Sequence, residues 1–280
     1  MIKSFLKWAG GKSQSIRFLH EHMCMRNGYL NGITDFIEGR FIEPFVGSGV
    51  VFMNVFAESY VINDINTDLV LIYKALQTSG EEFIAACEEL FIPENNTPER
   101  YNELREEFNG TDIKDIRKGA LFIYLNRHGF NGLCRYNKSG GFNVPFGKYD
   151  MVGFPKENLK KAVSKLKNVI IFNRPFEDII EMAGVGDTIY CDPPYVPMSA
   201  TASFTDYAQT GFEYTDQEKL ARLAEESKAR IFISNHDNAV TRELYKNADE
   251  IVEIEVNRFI SADKDSRKPV KELLAIYKNQ

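Results

Sequence analysis

Phe41-Ile42-Glu43-Pro44-Phe45-Val46-Gly47-Ser48-Gly49 is an apolar strand that runs into a glycine turn. Val50 to Phe56 leaves that turn as a helix, and Tyr60-Val61-Ile62-Asn63-Asp64 is a second apolar strand ending on a carboxylate seventeen residues after Gly47. Strand, glycine turn, helix, strand, acid is the order by which a Rossmann-like sheet holds a nucleoside. The glycines let a ligand approach the backbone, and the acid at the next strand end accepts from ribose hydroxyls. A lone Gly-x-Gly would serve equally as an empty turn; the position of Asp64 is what favours a nucleoside site.

Outward from this unit the alternation continues. Val169 to Phe172, Thr188 to Cys191, Arg230 to Ser234, Ile251 to Val256 and Leu273 to Tyr277 read as strands. With the first two they make seven, five of them parallel and the last pair an edge hairpin. Ser13 to Met25 reads as a helix ending in a turn from Asn27 to Gly32. Gln217 to Lys228 reads as another, opened by a capping box between Thr215 and Glu218. Residues 68–155 interrupt the pattern with helical segments at Gly80 to Phe91, Pro98 to Asn109 and Ile116 to Arg127, then a Gly/Asn-rich hairpin from Gly129 to Tyr149. The expected organisation is an α/β sheet domain, 1–67 and 156–280, carrying an inserted helical subdomain, 68–155.

Composition sets bounds. At 280 residues, 44% hydrophobic and 26% charged, the chain is long and apolar enough for a full globular core. The four cysteines, Cys24, Cys87, Cys134 and Cys191, form no Cys-x-x-Cys pair, which disfavours zinc and a disulfide framework and suits a reducing cytoplasm. Met1 to Lys12 holds an apolar run too short for a signal peptide or a membrane span. Gly10-Gly11-Lys12-Ser13 lacks the glycine a phosphate-binding loop needs five residues before Gly11, where Leu6 stands.

Asp187-Thr188-Ile189-Tyr190-Cys191-Asp192-Pro193-Pro194-Tyr195 is a buried strand stopped by a carboxylate, two prolines and a phenol. The prolines hold the backbone after Asp192 extended and leave carbonyls free to accept. A carboxylate, outward carbonyls and an aromatic face form a cup for a planar group bearing an amino substituent. Cys191 raises the rival of a thiol nucleophile, but as the last residue of a buried strand it reads as core.

The net charge is −6, yet Arg117 to Tyr149 holds six Lys/Arg residues (Arg117, Lys118, Arg127, Arg135, Lys138, Lys148) and no Asp or Glu. Phe130, Tyr136, Phe142, Phe146 and Tyr149 interleave with Asn131, Asn137 and Asn143, a mixture that grips phosphate, stacks on bases and bonds base edges. The competing reading is a solvated basic face over an aromatic core. A second basic loop, Arg258 to Lys271, also contains Asp263 and Asp265.

Taken together, the chain resembles the Dam family of DNA adenine-N6 methyltransferases nearly end to end. The resemblance rests on Lys7-Trp8-Ala9-Gly10-Gly11-Lys12, Glu43 to Gly49, Asn63-Asp64-Ile65-Asn66, Tyr124-Leu125-Asn126-Arg127, Asn131 to Asn137, Phe142 to Gly147, Tyr190 to Tyr195, and Ser234-Asn235-His236-Asp237. It implies a class I methyltransferase sheet, S-adenosylmethionine as cofactor with S-adenosylhomocysteine as product, no metal, and methylation of a flipped adenine in double-stranded GATC. It also implies a cytoplasmic enzyme of a bacterial or phage-infected cell; a monomer is expected from the asymmetric insertion.

Carried over by residue, Trp8, Ala9, Gly10, Lys12, Pro44, Phe45, Gly47, Ser48, Gly49, Asp64, Ile65 and Asp192 bind the cofactor, and Asp192, Pro193, Pro194 and Tyr195 carry the chemistry. Lys7, Leu133, Arg135, Pro145 and Tyr149 match base-reading positions, while Phe130 and Asn131 resemble residues entering the duplex beside the extruded base. Arg127, Asn137, Asn143 and Lys148 complete the DNA-binding set. An Arg fork suits guanine O6/N7, and Leu or Pro suits a thymine methyl. Phe259, Asp263 and Asp265 depart from the serine- and glycine-rich loop typical of the family at Asn257 to Lys268. A cytosine-N4 or amide methyltransferase and a catalytically idle DNA-binding regulator are the alternatives: the first more often has Ser or Asn in place of Asp192, and the second is expected to carry a damaged motif.

Overall fold

The computed structural model describes residues 1–8, 10–24, 36–110, 115–196, 211–256 and 270–278. Ala9, the turn from Asn27 to Gly32 and the loop 257–268 lie outside them. Seven strands form one sheet: β1 (Ile37–Glu43), β2 (Ala57–Asn63), β3 (Val169–Phe172), β4 (Thr188–Cys191), β5 (Arg230–His236), β6 (Glu250–Val256) and β7 (Val270–Tyr277), in the order β3-β2-β1-β4-β5-β7-β6. β1 pairs in parallel with β2 and β4, and β4 with β5.

The expected terminal hairpin is present, and it closes back into the sheet. β7 runs antiparallel to both β5 and β6, so β6 at the edge points the same way as β5. The pattern explains the order: β7 is buried along most of its length, whereas β6 alternates half-buried apolar residues with exposed glutamates. A strand with one wet face suits the edge, and charged residues there discourage pairing with other chains.

The chain packs as two compact units. One comprises Met1–Ser13, Gly47–Asn54 and Asn66–Asn173, which takes in the whole of 68–155; the other comprises Gln14–Val46, Val55–Ile65 and Arg174–Gln280. In the first unit, α2 (Val50–Asn54) is short, and α3 (Thr67–Glu88) is a long helix kinked at Ser79. The sequence places a helix start at Gly80, but Asn66, two residues after Asp64, caps α3, its side chain accepting from Leu69 N–H at 3.1 Å. α4 (Pro98–Phe108), α5 (Asp115–His128) and α6 (Lys156–Leu166) follow. Segment Gly129 to Tyr149 folds over α4 and α5 as a loop tied by two isolated bridges, Gly129 with Phe146 and Tyr136 with Phe142.

In the second unit, α1 (Ile16–Met23), α7 (Phe176–Glu181), α8 (Tyr214–Glu226) and α9 (Ala239–Leu244) are the described helices. The capping box of α8 sits two residues earlier than the Thr215–Glu218 expectation. Glu213 is the cap, and Asp216 returns the bond to its backbone N–H at 2.7 Å. A glutamate at the cap position does not match the Ser/Thr signature that sequence reading searches for.

Candidate active site

Three strand ends in the second unit bring the expected chemistry to one edge of the sheet. β1, β2 and β4 are parallel neighbours, so Pro44 and Phe45, Asp64 and Asp192 all follow C-terminal strand ends, where open α/β sheets bind ligands. Asn63 stitches the first two together. Its Nδ2 donates to Pro44 O at 2.9 Å and Arg174 O at 3.0 Å, and its Oδ1 accepts from Arg174 N–H at 2.9 Å. Phe45 packs against Phe176 and Phe212 with ring centroids 5.3 and 5.6 Å away. Such a cluster offers flat apolar faces just past the end of β1. Sequence reading missed Phe176 and Phe212; the only signal, Pro175-Phe176 soon after strand β3, is too short to stand alone.

The cup at the end of β4 is held by a buried polar network. Asp192 and Tyr195 are half-buried, Pro193 is buried and Pro194 exposed. Gln217, on α8 and fully buried, donates to Pro194 O at 2.7 Å. Asn235, at the end of β5, accepts from Val196 N–H at 3.0 Å and donates to Gln217 Oε1 at 3.2 Å and the Tyr245 hydroxyl at 3.1 Å. His236 Nδ1 lies 2.7 Å from Val196 O, and its ring meets the Tyr195 ring edge-on at 4.9 Å. The Tyr195 hydroxyl donates to Glu272 on β7 at 3.2 Å. Burial, then the Asp192 and Glu272 carboxylates, push the Tyr195 pKa far up, so the ring stays a neutral phenol. Cys191 is completely buried, and burial with the Asp192 charge pushes its thiol up as well. A thiol held in that form is a poor nucleophile, which bears out its reading as core.

The glycine loop belongs to the first unit. Gly47 and Gly49 have φ of +46° and +68°, and the Tyr73 hydroxyl donates to Gly47 O at 2.8 Å from beneath. A Cβ on Gly49 would come within 2.6 Å of that hydroxyl, and one on Gly47 within 2.8 Å of Trp8 Nε1. The loop therefore needs glycine for both conformation and space, and the Trp8 indole lies directly against it. Ser48 is buried, its carbonyl accepting from Ser4 at 2.9 Å. Lys12 is buried too, with Nζ donating to Gly10 O at 3.0 Å. An aromatic face, a buried cation and a backbone cradle fit an amino-acid-bearing cofactor. Ile65 is exposed.

The expected DNA-facing residues fall in the same unit, and Arg127 and Tyr149 meet at Lys7. Its Nζ donates to Arg127 O at 2.9 Å and sits 3.8 Å from the centre of the Tyr149 ring. The Tyr149 hydroxyl accepts from Asn131 N–H at 3.0 Å, and Phe130 N–H donates to Pro145 O at 2.9 Å. Asn131 has φ of +53°, and Phe130 is 45% exposed. Arg135 is exposed and steered by Asn143, donating to its Oδ1 at 2.8 Å and its carbonyl at 3.1 Å. Leu133 is half-buried, while Pro145 and Lys148 are exposed. Asn137 spends its Oδ1 on a turn, accepting from Ser139 and Gly141 N–H.

Part of this stretch is core. Phe142 is 2% exposed and packs on Phe108 and Phe122, and Tyr136 donates to Asp68 at 2.7 Å. The acid-free run also borrows acids from elsewhere: Arg117 pairs with Glu107 at 2.7 Å and Lys118 with Asp68 at 3.0 Å. Among the described residues no cluster of three or more His, Cys, Asp or Glu side chains could hold a metal ion.

Comparison with known proteins agrees with this architecture. The family model for D12 class N6 adenine-specific DNA methyltransferases matches residues 8–260. The DNA adenine methylase of Salmonella typhi is 42% identical over 282 residues, covering 98% of this chain and 95% of that protein. The DNA adenine methylase of Escherichia coli is 41% identical over 283 residues, covering 99% and 95%, and that of Vibrio cholerae 42% over 280 residues, covering 98% and 96%. On the match of the family model across most of its length, and of relatives across nearly all of it, this chain belongs to the D12 class of N6 adenine-specific DNA methyltransferases.

Proposed function

We propose that the chain methylates N6 of an adenine flipped out of double-stranded DNA, within GATC. The observation that carries the chemical reading is the cup after β4: a carboxylate and proline carbonyls in fixed positions beside a neutral phenol, braced by Gln217 and Asn235. In the first unit, Trp8, Ala9, Gly10, Lys12, Gly47, Ser48 and Gly49 bind the cofactor; in the second, Pro44, Phe45, Asp64, Ile65 and Asp192 do so. Bound S-adenosylmethionine supplies an electrophilic methyl group.

The chain's own residues do the rest. Adenine N6 is a weak nucleophile, because its lone pair is delocalised into the ring, and it is out of reach inside the duplex. Flipping costs a few kcal/mol by the usual scale, and Phe130 fills the gap while Tyr195 stacks on the extruded base. The Asp192 carboxylate and Pro193 carbonyl accept hydrogen bonds from the two N6 hydrogens and turn the lone pair toward the methyl. As the N6–C bond forms and the sulfonium S–C bond breaks, N6 becomes cationic and then releases one proton to solvent. Rate arises chiefly from alignment at about 3–3.5 Å. Pro194 fixes the backbone that aims the Pro193 carbonyl. Lys7, Leu133, Arg135, Pro145 and Tyr149 read bases; Arg127, Asn131, Asn137, Asn143 and Lys148 hold the duplex.

In this reading residues 68–155 are the target-recognition insertion of a sheet domain built from 1–67 and 156–280. The enzyme works as a monomer in the bacterial cytoplasm, releases S-adenosylhomocysteine and uses no metal. The test is transfer of labelled methyl to a GATC duplex and a scrambled control, followed by nucleoside digestion. N6-methyladenine in the GATC duplex alone is expected. Equal labelling of both duplexes refutes GATC, N4-methylcytosine refutes adenine, and a rate abolished by a chelator refutes metal independence.

A further inference from the structure

Near the C-terminal end of α5 stands a polar side chain to which the chemistry above gives no role. Asn126 is fully buried, and all of its described hydrogen bonds go to residues of the proposed reading set or the turn within it. Its Oδ1 accepts from Lys7 N–H at 2.8 Å, and its Nδ2 donates to Lys7 O at 2.7 Å and to Gly132 O at 3.1 Å. The amide thus pairs with both backbone groups of Lys7 as an adjacent strand would, and grips the recognition turn with its remaining hydrogen. The fit is close: Gly132 has φ of +64°, and a Cβ there would collide with the stem of Lys7.

What hangs on these bonds gives the amide a consequence beyond packing. On one side, Trp8 follows Lys7 directly and lies against Gly47 of the cofactor loop. On the other, Leu133 follows Gly132 directly. Lys7 itself delivers its ammonium beside Arg127 O and the Tyr149 ring. One side chain therefore sets the register of a cofactor residue and of two base-reading residues. A buried amide chosen only for packing could satisfy itself on its own helix; this one reaches across 119 residues of sequence.

We infer that Asn126 is a positioning residue that couples cofactor binding to base discrimination by registering Trp8, Lys7 and Leu133 against one another. The inference rests on the proposed reading of Lys7 and Leu133 as base contacts. Asn126→Asp keeps the acceptor and the shape, removes both N–H donors, and sets a carboxyl oxygen against two carbonyls.

The experiment measures kcat/KM on a GATC duplex and on one differing by a single base, with cofactor affinity and thermal melting followed on the same samples. Asn126→Asp is expected to lower the GATC preference about tenfold, the effect of about one hydrogen bond's free energy, and to weaken cofactor binding. Lys7→Ala combined with Asn126→Asp is expected to lose less preference than the product of the two single losses, because Asn126 acts in part through Lys7 and residues acting through one another are non-additive. Lowered melting with preference intact, or multiplicative losses, overturns the inference. A wild-type enzyme without GATC preference instead refutes the base-reading proposal beneath it. Should Asn126→Asp melt below the assay temperature, hydrogen exchange of the wild type decides. S-adenosylmethionine alone must slow exchange in the peptide spanning Gly129 to Tyr136, and an unchanged rate there overturns the coupling.

Discussion

Lys7 keeps its ammonium in a place that disfavours charge. Burial, and then the neighbouring Arg127 guanidinium, lower its pKa to about 8, within reach of ordinary assay conditions. In the free protein this depressed value opposes folding while the group is charged, so its cost is full below about 8 and is relieved as pH rises toward the usual lysine range. The proposed base reading has the opposite sign, since the ammonium is a stronger, charge-assisted donor to a guanine edge than the neutral amine. Raising pH from neutral through about 8 is therefore expected to erode GATC discrimination while the contribution of this group to stability improves. Discrimination followed against pH checks this, and a Lys7→Arg variant should flatten the profile; an equally steep profile in that variant assigns the effect elsewhere. Asp192 gives a complementary expectation. Asp192→Ala should cut kcat by about two to three orders of magnitude, the scale for losing a preorganised polar contact to the reacting group, with DNA affinity preserved. Cys191→Ser should stay active, because a buried, protonated thiol has no part in the chemistry.

At the scale of elements, the proposed catalytic cup, Asp192 to Val196, takes its shape from residues that arrive later in the chain. Gln217, 23 positions beyond Pro194, donates to its carbonyl, and Asn235 holds Val196 from β5. Gln217→Leu fits the space but leaves Pro194 O and the Asn235 amide without that partner. It should cost about 1–3 kcal/mol of stability and lower kcat more than the KM for DNA, measurable by denaturant melts and steady-state kinetics; an unchanged kcat would make the brace purely structural. Such a through-space tie has no sequence period, which explains the pattern of what could be read beforehand. The strands Thr188–Cys191 and Val169–Phe172 stand as expected because short apolar runs between turn signals report burial directly. The glycine loop was legible because φ above zero and close approach both demand glycine. The continuation of α3 through Ser79 depends on tertiary packing, and the Glu213 cap departs from the Ser/Thr signature, so local patterns misjudged both.

The whole molecule is acidic, with a net charge of −6, so DNA affinity must come from where its cations stand rather than from their number. Sequence proximity overstated that concentration. Arg117 is bound by Glu107 and Lys118 by Asp68, contacts that bridge 10 and 50 positions of the chain. Arg127, Arg135, Lys138 and Lys148 are the other cations of that stretch, and they divide by chemistry. Lys138 and Lys148 are exposed ammoniums suited to phosphate, whereas Asn143 presets the Arg135 guanidinium, as a base reader requires. Each phosphate contact releases counterions and contributes about 0.9 to the slope of log affinity against log salt. Lys138→Gln and Lys148→Gln should then each flatten that slope by up to about 0.9 and weaken specific and non-specific binding alike. Arg135→Ala should reduce GATC preference by about 1–3 kcal/mol with the non-specific affinity little changed. Arg117→Gln is the internal control: its charge is already spent on Glu107, so the slope should hold while melting temperature falls. Salt titrations of all four variants on GATC and scrambled duplexes test the division, and a slope that drops as much for Arg117→Gln as for Lys148→Gln would show that the whole basic segment acts as one diffuse patch.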